Sequence, residues 1–303
     1  MKIWQWTGIL VWMAIATAGC KNSGSNEGLD RADSGTLHIS CDESFKPVMD
    51  AEIQVYQAQY PQAKIIAHYK SEADCIRDFQ VDSVRLVIAT RGPSAKERAF
   101  IIDSLKVGTE TFTLAYDAVA VIVNPQSADS AFTVNDIKGL VSGTSIKNRV
   151  PVFDGLKATS TVRFVLDSVL RGQTLGKNVV AAQSSQGVID YVAKTQNAVG
   201  FLGIEWIGNE DDSLQDFSRQ KIKVARLESA DSAGYYVLPV QYLIYTRAYP
   251  FVRDLVGVLK ERHVGLANGF VNFLRSDRGQ LIFRRSYLYP GVRAFYERDT
   301  ELK

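Results

Sequence analysis

Few side chains in this sequence stand where catalysis or metal binding would place them. The three cysteines, Cys20, Cys41 and Cys75, are too few and too scattered for a disulfide framework or a CxxC-type zinc site. His38, His68 and His263 lie far apart along the chain, and the first two fall inside predicted strands, which reads as core or surface histidine rather than metal ligand. HExxH, CxxC, GxSxG, a Walker loop and GxGxxG are all missing, so no motif pairs a nucleophile with a base or cradles a nucleotide. Trp206 and the Tyr235-Tyr236 pair read as aromatics that pack a core or a lobe interface, not as a platform for a ligand ring. These residues predict no enzyme, no cofactor and no metal.

Composition sets the frame for the elements. The chain has 303 residues, 46% hydrophobic and 22% charged, enough for one large or two ordinary globular domains. Its 35 Lys+Arg against 33 Asp+Glu leave a net charge of +2, which argues against nucleic acid as a partner and leaves small ligands and proteins open.

Met1 to Cys20 (MKIWQWTGILVWMAIATAGC) carry Lys2, an apolar run from Gly8 to Ala18, and small residues before Cys20. This predicts a secretory signal peptide over 1–19, with an apolar run short for a membrane span; an uncleaved anchor helix is the alternative. A small-residue site ending on cysteine resembles the bacterial lipoprotein signal, although Thr17 stands where leucine is commoner. The resemblance implies a lipidated Cys20, palmitate included, as the first residue after cleavage. Either way the rest of the chain is expected outside the cytoplasm, in the cell envelope. Residues 20–35, rich in Ser, Gly, Asn and Asp, have the composition of a flexible tether.

From Thr36 onward short apolar runs alternate with amphipathic segments, the pattern of an α/β protein. Leu37 to Ile39, Lys64 to Tyr69 and Val84 to Ala89 read as strands, and Phe45 to Tyr60, ended by Pro61, and Ala73 to Phe79 as helices. Two long β-rich stretches, Thr111 to Asn124 and Tyr235 to Thr246, are long enough to run from one lobe into another. Between them fall helices near 134–141, 160–171 and 187–195 and strands at 150–153 and 198–202. After Thr246 the pattern is mainly helical, with Val252 to Leu259 and Ala267 to Ser276 both amphipathic. A chain that leaves one lobe, builds a second and returns predicts a cleft between them, where small ligands favour binding.

The residues also carry a family resemblance over nearly all of Thr36 to Pro290. Ile39 to Phe45 (ISCDESF), Val87 to Arg91 followed by Glu97, Ala118 to Asn124 with Phe132-Thr133 and Ile137 to Leu140, Asn197 to Phe201, and the run from Gly265 through Gly279-Gln280 to Leu288-Tyr289-Pro290 occur in matching order and spacing. The chain thus resembles the phosphate-binding lipoproteins and periplasmic proteins of phosphate ABC transporters. That implies an α/β two-lobed periplasmic binding protein fold (type II). Each lobe would be a mixed sheet flanked by helices, with two crossover strands as hinge, near Ala115 to Val121 and Pro239 to Leu243. The implied division is 36–116 and 242–303 for lobe 1, and 117–241 for lobe 2. The implied partners are a small phosphate-like anion, a transporter permease, and the membrane through the lipid anchor.

Such a fold holds an oxyanion on backbone N–H groups and hydroxyls at helix starts, where orphan donors and the helix dipole favour negative charge. Asp42-Glu43-Ser44-Phe45 opens the first helix, Thr90-Arg91 follows a buried strand, and Thr159-Ser160-Thr161 opens the helix of Arg163 and corresponds to the family's Ser-Gly-Thr loop. The sequence departs from the family at three points. The first turn carries Asp42 and Glu43, the second helix begins Ser71-Glu72-Ala73, and the arginine expected before the third loop is absent from Phe153 to Lys157. Asp42, Glu43 and Glu72 therefore stand where neutral donors are usual, and a like charge near an anion costs on the order of several kcal/mol in a poorly solvated cleft. Capping of helix starts remains open for Asp42, Glu43 and Thr159 to Thr161, an ion pair for Arg91, and plain solvation for Lys157 and Arg163. Cys41 and Cys75 flank turns that lie side by side in the resembling fold, which implies a possible disulfide in an oxidising compartment. The expected function is capture of phosphate or a related oxyanion for an ABC transporter. The alternatives are the same fold with a different ligand, or an envelope interaction protein that binds no solute.

Overall fold

The computed structural model describes residues 29–145, 148–155 and 159–292; the leader, Cys20, the tether up to residue 28 and Lys157 lie outside them. The first layer is a parallel βαβ arrangement. β1 (Gly35–Asp42) pairs on one side with β2 (Ala63–Lys70) and on the other with β3 (Leu86–Ala89). α1 (Lys46–Gln59), with Pro47 in its first turn where no N–H is needed, turns Val48, Met49, Ile53 and Tyr56 inward. α2 (Glu72–Arg77) is capped by Ser71, and α3 (Ala95–Phe100) by Ser94 and Glu97 in a capping box. Leu37, Ile39 and Cys41 alternate along β1 into one core with the inward face of α1 and with Leu266, Phe270 and Phe283 from the C-terminal part of the chain.

β4 (Glu110–Val123) leaves this core. Leu114 and Ala115 still belong to it, whereas Ala118 to Val123 belong to a second core. There follow β5 (Ala131–Phe132), α4 (Val134–Ser142) and β6 (Val150–Phe153). α5 (Ser160–Phe164) continues as a π-helical turn over Val165–Leu170, and β7 (Val180–Ala181), α6 (Ser185–Lys194) and β8 (Ala198–Gly203) come next. β6 and β8 run parallel to each other, and β8 pairs antiparallel with the far half of β4. After α7 (Ser213–Arg219) come β9 (Lys223–Val224), β10 (Arg226–Glu228), β11 (Tyr236–Val237) and α8 (Gln241–Tyr245). The chain returns along β12 (Val252–Leu259) and closes with α9 (Leu266–Arg275), α10 (Asp277–Arg285) and β13 (Tyr289–Pro290). The principal sheet runs β2-β1-β3-β12-β4-β8-β6-β7, so β12 and β4 sit at its centre and pass from one core to the other side by side. The result is the two-lobed mixed α/β fold, with a curled sheet flanked by helices.

The return crossing differs from expectation. Tyr235 to Thr246 is not a long strand: Pro239 lacks the N–H a central strand needs, only Tyr236–Val237 pair, and Gln241–Tyr245 is helical. Val252–Leu259 is not a helix but the central strand β12; its mostly buried apolar run is ambiguous between a strand and a buried helix, and its β-branched content fits the strand. The second crossing therefore lies at the start of β12 rather than at 239–243, because Val237, Ile244, Tyr249 and Phe251 all pack in the second core.

Three smaller expectations change as well. His38 and His68 are not isolated: parallel pairing sets Ser40 opposite His68, so His38 meets His68 on the same face with Nδ1 and Nε2 2.8 Å apart. Tyr235 is exposed rather than packed. Cys41 and Cys75 are free thiols. Cys41 faces the core shared with α1, whereas Cys75 faces a separate cluster with Phe79, Val87 and Ala89, so the sheet stands between the sulfurs. Burial pushes the Cys41 thiol well up and the Cys75 thiol to about 12, leaving neither as a reactive thiolate. Alkylation of denatured, unreduced protein is accordingly expected to label both residues, and a Cys41–Cys75 disulfide peptide in the mass spectrum would contradict this.

Candidate functional site at the lobe crossing

At the point where both central strands change cores, β4 and β12 place Asp117 and Arg253 directly opposite each other in register. Both are buried, and Arg253 Nε donates to Asp117 Oδ2 at 2.7 Å. The rest of the guanidinium reaches the start of α5, where Nη1 donates to Ser160 Oγ at 2.8 Å and to Thr161 Oγ1 at 3.3 Å. Its plane lies over the Phe45 ring, 5.2 Å from the centroid, which fixes it from the first lobe's side. Burial alone would lower the Arg253 pKa, but Asp117, Glu205 and Asp42 together hold it raised. The arginine missing from the segment before α5 is thus supplied from β12.

The first lobe contributes the turn that follows β1. Asp42, 1% exposed, accepts from the Ser44 amide through Oδ1 and leaves Oδ2 without a partner. Ser44 Oγ lies 3.1 Å from Ser160 Oγ across the cleft, and the Ser44 carbonyl accepts from Trp206 Nε1 at 2.7 Å. Glu43 accepts from Ser185 Oγ, at the start of α6, at 3.0 Å. Glu72 is filled: Oε1 accepts from the Thr90 amide at 2.9 Å and from its hydroxyl, and Oε2 accepts from Arg163 Nε, an ion pair between the lobes. That pairing, with the Thr90 bonds, overcomes burial and holds the Glu72 carboxyl below its usual range.

Of the expected site residues, Asp42, Ser44, Phe45, Ser160 and Thr161 converge on Arg253, and Glu43 borders them. Glu72 and Thr90 form a separate cluster with Arg163, which is therefore paired rather than merely solvated. Arg91 turns away, bound bidentately by Glu97 at 2.9 and 3.0 Å; that carboxyl is held at about 2 by the Arg91 hydrogen bonds. Thr159 caps α5 through Oγ1, accepting from the Val162 amide. Sequence reasoning missed Arg253, Asp117, Glu205, Asp154 and Ser185. For Asp117 and Arg253 the signal is a charge inside an otherwise apolar strand, as in Asp117 within TLAYDAVAVIV, which demands a buried partner.

The remaining acids define the electrostatics. Burial raises Asp42 to about 7 and Asp154 to about 6, against partial relief from Arg253 and hydroxyls. It also raises Glu205, where the neighbouring Asp117 adds to the effect. A surface depression of about 840 Å3 lined by Tyr56, Tyr60, Asn272 and Arg278 is wider, yet it shares no residue with this cluster and no orphaned buried group faces it among the described residues.

A family model described as a PBP superfamily domain matches residues 28–278. The chain belongs to the PBP superfamily. No curated protein matches it. Among solved structures, this PBP domain is similar to a putative phosphate ABC transporter substrate-binding protein with bound phosphate from Clostridium perfringens, at 18% identity over 84% of this chain and 99% of that one, with a TM-score of 0.69. An ABC-type phosphate transport receptor from Vibrio cholerae aligns at 17% identity over 84% and 99%, with a TM-score of 0.62. The substrate binding domain of a putative molybdenum ABC transporter from Clostridium difficile aligns at 19% over 84% and 98%, with a TM-score of 0.50. At these identities the likeness establishes the PBP fold, and the ligand must be argued from the site.

Asp42 binds its proton more tightly folded than unfolded, with a pKa of about 7 against 3.8, so its contribution is full below pH 4 and is lost as pH rises through 7. Asp154 acts in the same direction up to about 6. Thermal unfolding is expected to show stability falling between pH 5 and 7.5, with about 2 kcal/mol of that fall due to Asp42. Asp42→Asn should flatten the profile; an unchanged slope in that variant would remove Asp42 as its source.

Proposed function

We propose that this PBP-superfamily chain captures a small oxyanion, phosphate foremost, in the cleft between its lobes and delivers it to an ABC transporter permease. The observation that carries the reading is the convergence of the Ser160 and Thr161 hydroxyls on the Arg253 guanidinium where the lobes meet, with the Ser44 hydroxyl against that of Ser160. A hydroxyl that accepts from Arg253 keeps its own O–H to donate, the Ser160 and Thr161 amides that open α5 have no helical acceptor, and Arg253 Nη2 is buried without a partner. An oxyanion is the ligand that uses all of these at once. The likeness to a substrate-binding protein with bound phosphate and to a phosphate transport receptor supports this choice.

The contacts Ser44–Ser160, Glu43–Ser185 and Glu72–Arg163 hold the lobes shut, and parting them admits the ligand. Hinges near Asp117 and Arg253 would carry that motion. Secretion with the leader over 1–19, lipidation at Cys20 and a tether over 20–35 would keep the protein at the membrane, facing the periplasm or outside. Among the described residues no helix is long and apolar enough to cross a membrane.

Calorimetry with phosphate and sulfate is expected to give micromolar or tighter phosphate binding, weakened at least tenfold by Ser160→Ala or Thr161→Ala. Absence of heat with either anion would end the oxyanion reading. Separately, Cys20→Ser is expected to release the protein from the membrane fraction of expressing cells, and retention of the variant would rule out a lipid anchor at Cys20.

A further inference from the structure

Resting on the two-lobed cleft of the reading above, we infer that the cleft has a second anion-binding position, made by Thr90 and Arg163, which the chain fills with its own Glu72 carboxylate. Thr90, directly after β3, donates its backbone N–H to Glu72 Oε1 at 2.9 Å and its hydroxyl to the same oxygen. Arg163, from α5, donates Nε to Oε2 at 2.5 Å and Nη2 to Oε1 at 3.3 Å, and Nη2 also reaches the Thr90 hydroxyl oxygen. Both carboxylate oxygens therefore sit in the guanidinium fork, and with the Glu72 side chain 3% exposed these donors, not water, balance its charge. A planar fork, an amide and a hydroxyl converging on two oxygens form a donor set that suits a free carboxylate or oxyanion equally well.

Glu72 differs from other acids that arginines hold. Glu97 pairs with Arg91 six residues away and also accepts from the Ser94 amide at the start of α3. Glu261 pairs with Arg85 and takes the amides of Gly265, Ala267 and Asn268 where α9 begins. Both tie together parts of the first lobe. Glu72 instead opens α2, whose Cys75 and Ile76 pack with Phe79 and Val87, and meets α5, whose Val162 and Phe164 belong to the second core. Ser160 and Arg163 stand three residues apart in α5 and share one face, so Ser160 meets Ser44 and Arg253 while Arg163 meets Glu72 about one turn away. One helix face thus serves two anion positions, the first for a solute and the second for a side chain of the opposite lobe. Tethering gives Glu72 an effective concentration that a free anion must exceed, so its carboxylate latches the lobes as a bound solute would and bars a second anion.

Glu72→Ala removes the side chain beyond Cβ, a fragment of acetate size, and leaves Thr90 and Arg163 in place. Calorimetry on the full-length variant is expected to show acetate binding at least about tenfold tighter than acetamide, its uncharged isostere, and at least about tenfold tighter than acetate binds to the wild type. Adding Arg163→Ala is expected to abolish that binding. Acetate no tighter than acetamide, equal acetate binding by the wild type, or acetate binding that survives loss of Arg163 would each overturn the inference. Where Glu72→Ala fails to fold, Glu72→Gln keeps the shape and loses the charge; solution X-ray scattering without added anion is expected to give it a larger radius of gyration than the wild type, and equal radii would overturn the latch and with it the inference. Calorimetric silence of the wild type toward phosphate would end the oxyanion reading while leaving the acetate result standing.

Discussion

The ion pair of Arg253 and Asp117 is the constraint around which the rest is arranged. It joins the only two strands, among the described residues, that belong to both cores, at the register position where each leaves one and enters the other. Removing either partner from such a site strands a buried charge, a cost of about 3–5 kcal/mol, whereas keeping both satisfies part of the fork and aims the remainder at α5. The pair therefore couples two duties. It makes the crossing a fixed point of the fold, and it delivers a buried cation to the start of α5 from a strand rather than from a loop.

The acids around it fall into two groups by how they are satisfied. Glu72 and Glu97 are saturated by arginines and hold their protons weakly, so they behave as permanent structural charges. Asp42, Asp154 and Glu205 share what is left of Arg253 and hold their protons strongly. Burial raises all three of these, and at Glu72, exposed as little as they are, the Arg163 and Thr90 donors outweigh it.

Most of the architecture was legible from periodicity: β1 to β4, α1, α2, α4, α6 and β8 all fall where alternating or helical spacing puts them. What failed was the return strand. VRDLVGVL read as a helix places Arg253 and Asp254 on a solvated face, and with that reading the central cation of the site disappears. The family resemblance located α5 and the β1 turn correctly but supplied no arginine for them, because here the arginine comes from a position some ninety residues downstream, as the 2.8 Å bond from Arg253 to Ser160 reveals. Asp117 held the missing information, since an acid within a buried central strand implies a cationic neighbour that spacing along the chain cannot identify. The separation of Cys41 from Cys75 was likewise invisible, because proximity of two turns says nothing about which side of a sheet each sulfur faces.

The pairing of β4 with β12 has a mechanical consequence. The two links between the lobes are not independent tethers but adjacent rails of one antiparallel ribbon, hydrogen-bonded on both sides of the crossing and interrupted by a bulge between Leu255 and Val256. Such a ribbon resists sliding and shear, since either would break its ladder, while it yields to twisting and bending at the irregular step. Any relative motion of the lobes is thereby confined to twist and bend at that step.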